Sequence, residues 1–188
     1  MSETVFIAFG SNVGNRLDYC DRAVTLLGLL PFSRLAAVSS LYETAPIKDS
    51  TDPGPGWFLN GVVKIETELI PMRLLELCRE VERALGRDLD QRGGPRTLDL
   101  DMLFYGVRVI DEPLLTVPHP RLHQRRFVLA PMAEIAPDWV HPVLQRTMND
   151  LLLHVNDPAE VRRLQPPPGS RFASRPSSSK PAPSSQQA

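Results

Sequence analysis

Residues 4–10 form a β-rich run that stops at the turn formers Gly10-Ser11-Asn12, which predicts a short opening strand. Asn15 then serves as the cap of a helix running to about residue 30, with Leu17, Val24 and Leu27 on one stripe and Cys20 beside it. Residues 34–44, rich in Val, Leu and Tyr, predict a second strand. A loop over 45–56 follows, broken by Pro46, Pro53-Gly54 and Pro55-Gly56. Residues 58–68 resume as a strand, with Val63, Ile65 and Thr67 on one face and Val62, Lys64 and Glu66 on the other. The next helix is bracketed by Pro71, tolerated in a first turn, and by Gly86 just past the end. Between them Leu74, Cys78, Val81 and Leu85 recur at helical spacing. A polar, Gly-rich loop covers 87–97, a strand is predicted over 98–105, and a shorter one over 107–110. Residues 127–136 and 144–155 read as helices, with Pro131 expected in the first turn of the former.

The order βαββαβ with extra C-terminal pieces predicts an α+β sandwich of ferredoxin-like type with a mainly antiparallel sheet. In that arrangement the helices lie on one face and leave the other free for a site. The chain has 188 residues, so a single domain is expected, and residues 1–164 are assigned to it. From Gln165 to Ala188 the 24 residues include six Pro, seven Ser, three Gln and one Gly, with Phe172 the only large apolar side chain. Such a stretch predicts a loose tail. The net charge of -1 gives no sign of a nucleic-acid or membrane-surface partner. Apolar runs fall far short of the ~20 residues that cross a bilayer. Glu3 and the short stretch before Gly10 do not read as a secretory signal, and Cys20 and Cys78 make no disulfide framework. A cytoplasmic monomer with reduced thiols is the expectation.

Candidate chemistry concentrates in Arg92-Gly-Gly-Pro-Arg96-Thr-Leu-Asp99-Leu-Asp101. On a strand Asp99 and Asp101 share one face, about 7 Å apart, while Leu98, Leu100 and Met102 turn to the core. Two carboxylates so close suit a hard divalent cation, and Mg²⁺ takes one or two carboxylates together with phosphate oxygens. A half-exposed strand carrying two solvated acids satisfies the same pattern. Arg87, Arg92 and Arg96 bracket the adjoining loop, and Arg outnumbers Lys 18 to 3. Forked guanidinium groups bind two oxyanion oxygens at once. A Gly- and Arg-rich loop beside paired acids is what phosphoryl transfer requires.

The run from Arg92 to Leu103 resembles the signature of the 6-hydroxymethyl-7,8-dihydropterin pyrophosphokinases of folate biosynthesis. Further resemblance lies in Phe9-Gly-Ser-Asn12, Tyr42-Glu-Thr-Ala-Pro46, Trp57-Phe-Leu-Asn60, and Leu115-Thr-Val-Pro-His119 continuing to Arg125, Phe127 and Glu134-Ile-Ala-Pro137. It covers about residues 4–155. The resemblance implies transfer of pyrophosphate from ATP to the pterin hydroxymethyl oxygen, with release of AMP. By the same resemblance Asp99 and Asp101 hold two Mg²⁺ ions, and Arg87 and Arg96 match the loop arginines that aid catalysis. Glu82, Arg96, Thr116, His119 and Arg125 are implied on the ATP side. Phe58 and Phe127 match the pterin-stacking pair, Asn60 meets the ring edge, and Thr44, Ala45 and Ile47 complete that pocket. A flat, polar heterocycle indeed calls for aromatic faces and amide-type hydrogen bonds. Asp101 is the candidate proton acceptor, and ATP is expected to bind first. The chain departs from the family at Gly93 and Pro120, where other members carry aromatics.

Two other readings fit the residues taken alone. One is a different metal-dependent phosphotransferase on a similar sandwich. The other is a ligand-binding module without chemistry. The paired aspartates and Gly/Arg loop argue against the module, and Phe58, Asn60 and Phe127 argue against the other transferase.

Overall fold

The structure, a computed structural model, describes residues 1–45, 56–88 and 96–172. Its elements are β1 (Glu3–Ser11), α1 (Arg16–Gly28), β2 (Ser33–Val38), β3 (Tyr42–Thr44), β4 (Phe58–Thr67), α2 (Pro71–Ala84), β5 (Asp99–Tyr105), β6 (Ile110–Glu112), β7 (Leu115–Val117), α3 (Arg126–Ile135), α4 (Met148–His154) and β8 (Val161–Arg163). Asn15 caps α1 by accepting from the Asp18 amide at 3.2 Å. Pro71 opens α2, and Gly86 follows it at φ +84°, a left-handed value that favours glycine.

The main sheet runs β5-β1-β4-β3-β8, with β2 also on β4, and every pairing is antiparallel. With β2 and β3 counted as one interrupted strand, this is the ferredoxin-like order. The single strand expected over 34–44 is split because Ser39 leaves the ladder. Its amide donates to the Val62 carbonyl, and its hydroxyl accepts from the Val62 amide, both at 2.9 Å. The side chain thus takes over a backbone role, and Leu41 beyond it is fully buried.

One sheet face carries α1 and α2 over a core that includes Val5, Ile7, Phe9, Val63, Ile65, Leu100 and Met102. The opposite face is not left free, as expected, but half covered. There α3 and α4 bury Val128, Leu129, Met132, Met148 and Leu151 against Phe6, Val62 and Phe104. Trp139 packs edge-on against Phe6 and Phe104. The uncovered half is the end where β1 finishes and β4 and β5 begin.

Four further expectations need correction. Pro131 lies in the middle of α3, not its first turn, so Phe127 loses the amide that would normally bond its carbonyl. The helix expected from 144 starts at Met148, because Thr147 caps it by accepting from the Asp150 amide and Gln145 sits at φ +53°. The apolar Val107 and Val109 suggested a strand, yet both are exposed, and the strand is Ile110–Glu112, paired with β7. The stretch expected to be loose from Gln165 is anchored at Arg171 and Phe172. Phe172 is 4 % exposed and its ring lies 6.2 Å from that of Phe9, while Arg171 pairs with Asp21 on α1 at 2.5 Å. Residues 173–188 of that stretch lie outside the described residues.

Strand β5 carries a bulge. Opposite β1 the register steps from Phe6↔Phe104 to Ile7↔Met102, leaving Leu103 as an extra residue. Alternation therefore resets: Leu98, Leu100 and Met102 face α1 and α2, but so does Tyr105, while Leu103 and Phe104 both face α3.

Gly61 stands opposite Phe9 in the β1–β4 ladder, and a Cβ there would lie 2.4 Å from the tip of the Phe9 ring. Gly61→Ala is therefore expected to destabilise the fold by about 1–3 kcal/mol through overpacking. Urea denaturation of the variant beside the wild type measures it.

Candidate functional site

Antiparallel pairing brings distant residues to one end of the sheet. Gly10 at the end of β1 faces Asn60 on β4 and Asp99 on β5, Ala8 faces Asp101, and Thr44 faces Phe58. Gly10 has a steric reason to be glycine: a Cβ would lie 2.6 Å from Asn60 Oδ1. The buried Asn60 amide crosses toward β3 and donates to Thr44 Oγ1 at 3.0 Å. That bond supplies the partner a buried amide requires.

On the other side of β1 the charges interlock. Glu82 on α2 is 4 % exposed, not the surface acid that a lone helical glutamate suggests. Its Oε1 accepts from the Leu100 amide at 2.8 Å and from the Arg87 guanidinium. Arg87 also reaches Asp99 Oδ1 at 2.5 Å, and Arg96 pairs with Asp99 Oδ2. Burial pushes the Glu82 carboxyl up to about 7, against the Leu100 amide and Arg87, which hold it down. Asp101 faces His119 Nε2 and Arg125, each 3.9 Å from its Oδ2. Burial, and then the Asp99 charge, raise the Asp101 carboxyl; His119, Arg125 and Arg96 oppose the rise. Burial lowers His119, with Arg125 and Arg121 adding to the effect and Asp101 opposing it. The bulge helps set this geometry, because the Leu103 carbonyl accepts from the His119 amide at 3.0 Å.

Two clefts meet at these charges. The first, about 550 Å³, runs along α2 and is lined by Glu82, Arg83, Thr116 and Pro120 among others. The second, about 580 Å³, lies over the open sheet end, between Thr44, Ala45, Phe58 and Asn60 on one side and Arg125 and Phe127 on the other. Arg87, Asp99, Asp101 and His119 line both. The structure thus brings together Thr44, Ala45, Phe58, Asn60 and Phe127 in one cleft, and Glu82, Thr116 and His119 in the other. Arg96 and Arg125, expected beside Thr116, line the second cleft instead. Ile47, Arg92 and Gly93 lie outside the described residues.

The sequence marks Asn12 as part of a turn beside the site and of the Phe9-Gly-Ser-Asn12 run, without naming its partner. Its Oδ1 accepts from the Arg96 amide at 2.6 Å and its own amide donates to the Arg96 carbonyl at 3.2 Å. Asn12 therefore clamps the backbone that carries Arg96. Asn after Gly-Ser at a strand end was the available signal, since such residues bond neighbouring backbone. Asp157 and Ala159, also on the second cleft, carried no local signal.

The paired aspartates offer a cation only two side-chain ligands, and among the described residues no group of three or more His, Cys, Asp or Glu converges. Two carboxylates on alternate residues of β5, at a cleft junction with room for ligand oxygens, fit Mg²⁺ shared with a polyphosphate. No helix among the described residues is long and apolar enough to cross a membrane.

Residues 6–137 match the family model for 7,8-dihydro-6-hydroxymethylpterin-pyrophosphokinase. The chain is 45% identical over 137 residues to the 2-amino-4-hydroxy-6-hydroxymethyldihydropteridine pyrophosphokinase of Bacillus subtilis, covering 72% of this chain and 79% of that protein. It is 41% identical over 161 residues to the protein of the same name from Methylorubrum extorquens, covering 85% and 98%. Identity with the folic acid synthesis protein fol1 of Schizosaccharomyces pombe is 37% over 151 residues, covering 80% of this chain and only 20% of that relative's length. A crystal structure of Plasmodium falciparum HPPK-DHPS superposes with a TM-score of 0.65 at 13% identity, over 81% of this chain and 45% of that one. That last likeness bears on the fold alone.

The raised Glu82 carboxyl has a consequence for stability. Between the ordinary carboxylate value and about 7, the folded state binds the proton that the unfolded state has released. Its contribution is therefore fully present at lower pH and is lost as pH rises through 7. Wild-type thermal midpoints are expected to fall from pH 5 to pH 8 relative to those of Glu82→Gln, measured at matched ionic strength. Parallel profiles would contradict this.

Proposed function

The chain belongs to the 7,8-dihydro-6-hydroxymethylpterin-pyrophosphokinase family, and from that premise we propose that it transfers pyrophosphate from ATP to the hydroxymethyl group of 6-hydroxymethyl-7,8-dihydropterin, releasing AMP, in folate biosynthesis. The observation that carries this reading is the pair of clefts sharing Arg87, Asp99, Asp101 and His119. A two-substrate transfer needs one donor pocket and one acceptor pocket opening onto the same charged residues.

ATP takes the cleft of Glu82, Thr116 and His119, with Arg96 and Arg125 reaching its phosphates from the neighbouring cleft. The pterin takes the cleft of Phe58, Asn60 and Phe127, stacked between the rings and bonded at its edge by Asn60, with Thr44 and Ala45 at the rim. The hydroxymethyl oxygen attacks the β-phosphorus and AMP leaves. Arg87 and Arg96, both already paired with Asp99, stabilise the charge that spreads over the transferring group. We assign the hydroxymethyl proton to Asp101, which lines both clefts where donor and acceptor meet. Asp99 and Asp101 would hold two Mg²⁺ ions, which supply charge neutralisation along the triphosphate. The buried thiols of Cys20 and Cys78 suit a cytoplasmic location.

With ATP, Mg²⁺ and the reduced hydroxymethylpterin, the product is expected to be AMP and not ADP, read by nucleotide chromatography. Asp99→Ala and Asp101→Ala are each expected to lower kcat/KM by about 10³-fold, the scale of losing several kcal/mol of charge stabilisation. Full turnover in either variant would refute the metal assignment. Arg87 and Asp99 belong to both clefts, so nucleotide contacts there complete the wall of the other pocket. ATP is accordingly expected to bind first. Titrating the pterin with and without a non-hydrolysable ATP analogue checks the order, and equal affinities would refute it.

A further inference from the structure

The stretch from Asp157 to Leu164 lies beyond the part of the chain that matches the family model, yet it touches both walls of the second cleft. On one wall α3 begins at Arg126, and Arg125 before it supplies no side-chain cap. The first amides of a helix need an acceptor from elsewhere. Asp157 provides one: its Oδ2 accepts from the Arg126 amide at 2.8 Å, across 31 residues of sequence. A carboxylate at that end also suits the helix dipole. The next residue of α3 is Phe127.

The same aspartate turns the chain toward the opposite wall. Its Oδ1 accepts from the Ala159 amide at 3.0 Å. The following carbonyl, of Glu160, accepts from the Ala45 amide at 3.0 Å, at the end of β3. From there β8 pairs with β3, placing Val161 opposite Thr44. The Arg162 guanidinium pairs with Glu43 at 3.0 Å and lies 4.3 Å over the Trp57 ring. The Leu164 amide donates to the Leu41 carbonyl at 2.8 Å. Beyond it Phe172 is buried on the far side of the sheet.

The two walls thus belong to different layers, a helix over the sheet and a strand of the sheet itself, and are bridged here through Asp157, Ala159 and Glu160. We propose that Asp157 is a positioning residue for the second cleft, fixing Phe127 on the α3 wall relative to Thr44 and Ala45 on the β3 wall. It acts through the backbone of Arg126 and of Ala159–Glu160. The first cleft, along α2, has no lining residue from this stretch. The effect therefore falls chiefly on the pterin, the nucleotide meeting this wall only through Arg125, an assignment that rests on the function proposed above.

The test is Asp157→Ala in the full chain, with Asp157→Asn as a milder variant that retains one acceptor oxygen. Three quantities are measured: the dissociation constant of the pterin in the presence of a non-hydrolysable ATP analogue, that of the analogue alone, and amide hydrogen exchange. For Asp157→Ala the pterin constant is expected to rise at least tenfold and the nucleotide constant to stay within twofold. The amides of Ala45 and Arg126 are expected to lose protection while those of Val63 and Ile65 in β4 keep theirs. Asp157→Asn is expected to fall between. Unchanged pterin affinity overturns the proposal, and so does a parallel loss of nucleotide affinity, which would mark a general structural role. Should Asp157→Ala fail to fold, Asp157→Asn decides by the same criteria. If the wild type binds no pterin, the functional reading fails. Exchange at Ala45 and Arg126 then decides the bridge alone, with unchanged protection overturning it.

Discussion

The site depends on the register in which β1 pairs with both its neighbours. Gly10 faces Asn60 on one side and Asp99 on the other, so an amide from β4 and a carboxylate from β5 lie on either flank of a residue without a side chain. Slipping either pairing by one residue would turn every side chain of that strand to the other face. Asn60 would then enter the apolar layer under α1, and Asp99 with Asp101 would enter the layer under α2. The hydrophobic alternation that keeps Ile7, Val63 and Met102 beneath the helices is therefore also what keeps the chemistry on the open face.

Around that register the charges are arranged in a chain. Glu82, Arg87, Asp99 and Arg96 form one connected run from the buried side of α2 to the loop exit, and Asn12 holds the last of them by its backbone. Buried carboxylates are costly unless paired, and here each has a cationic partner. Asp101 stands slightly apart, facing His119 and Arg125 at longer range. The two aspartates of one strand thus sit in different electrostatic settings, one gripped by arginines and one more loosely held.

Much of this was legible in the sequence, because the relevant signals are local. Strand alternation gave the shared face of Asp99 and Asp101, and Pro71 and Gly86 marked both ends of α2. The Leu74–Leu85 stripe gave its buried face. What escaped was long-range. Ser39 breaks the edge strand by bonding Val62, which nothing near Ser39 announces. Val161-Arg-Arg is too short and too charged to read as a strand and becomes one only because β3 offers a free edge. Phe172 sat in a Pro- and Ser-rich context that argued for looseness, and its burial rests on a long-range contact with the Phe9 ring. Glu82 looked like any helical acid until the Leu100 amide was found beneath it. Asn12 and Asp157 act through backbone partners 84 and 31 residues away.

The extra residue in β5 divides that strand into two independently phased halves. Before Leu103 the odd positions point toward the clefts; after it the parity is inverted, and Phe104 and Tyr105 obey the opposite rule. Strict alternation through the same residues, with Leu103 paired like its neighbours, would turn Phe104 toward α1 and α2 and put a phenol in place of a phenyl ring beneath α3. The imperfection lets one continuous segment answer to a polar reaction centre at its start and to two separate apolar layers at its finish.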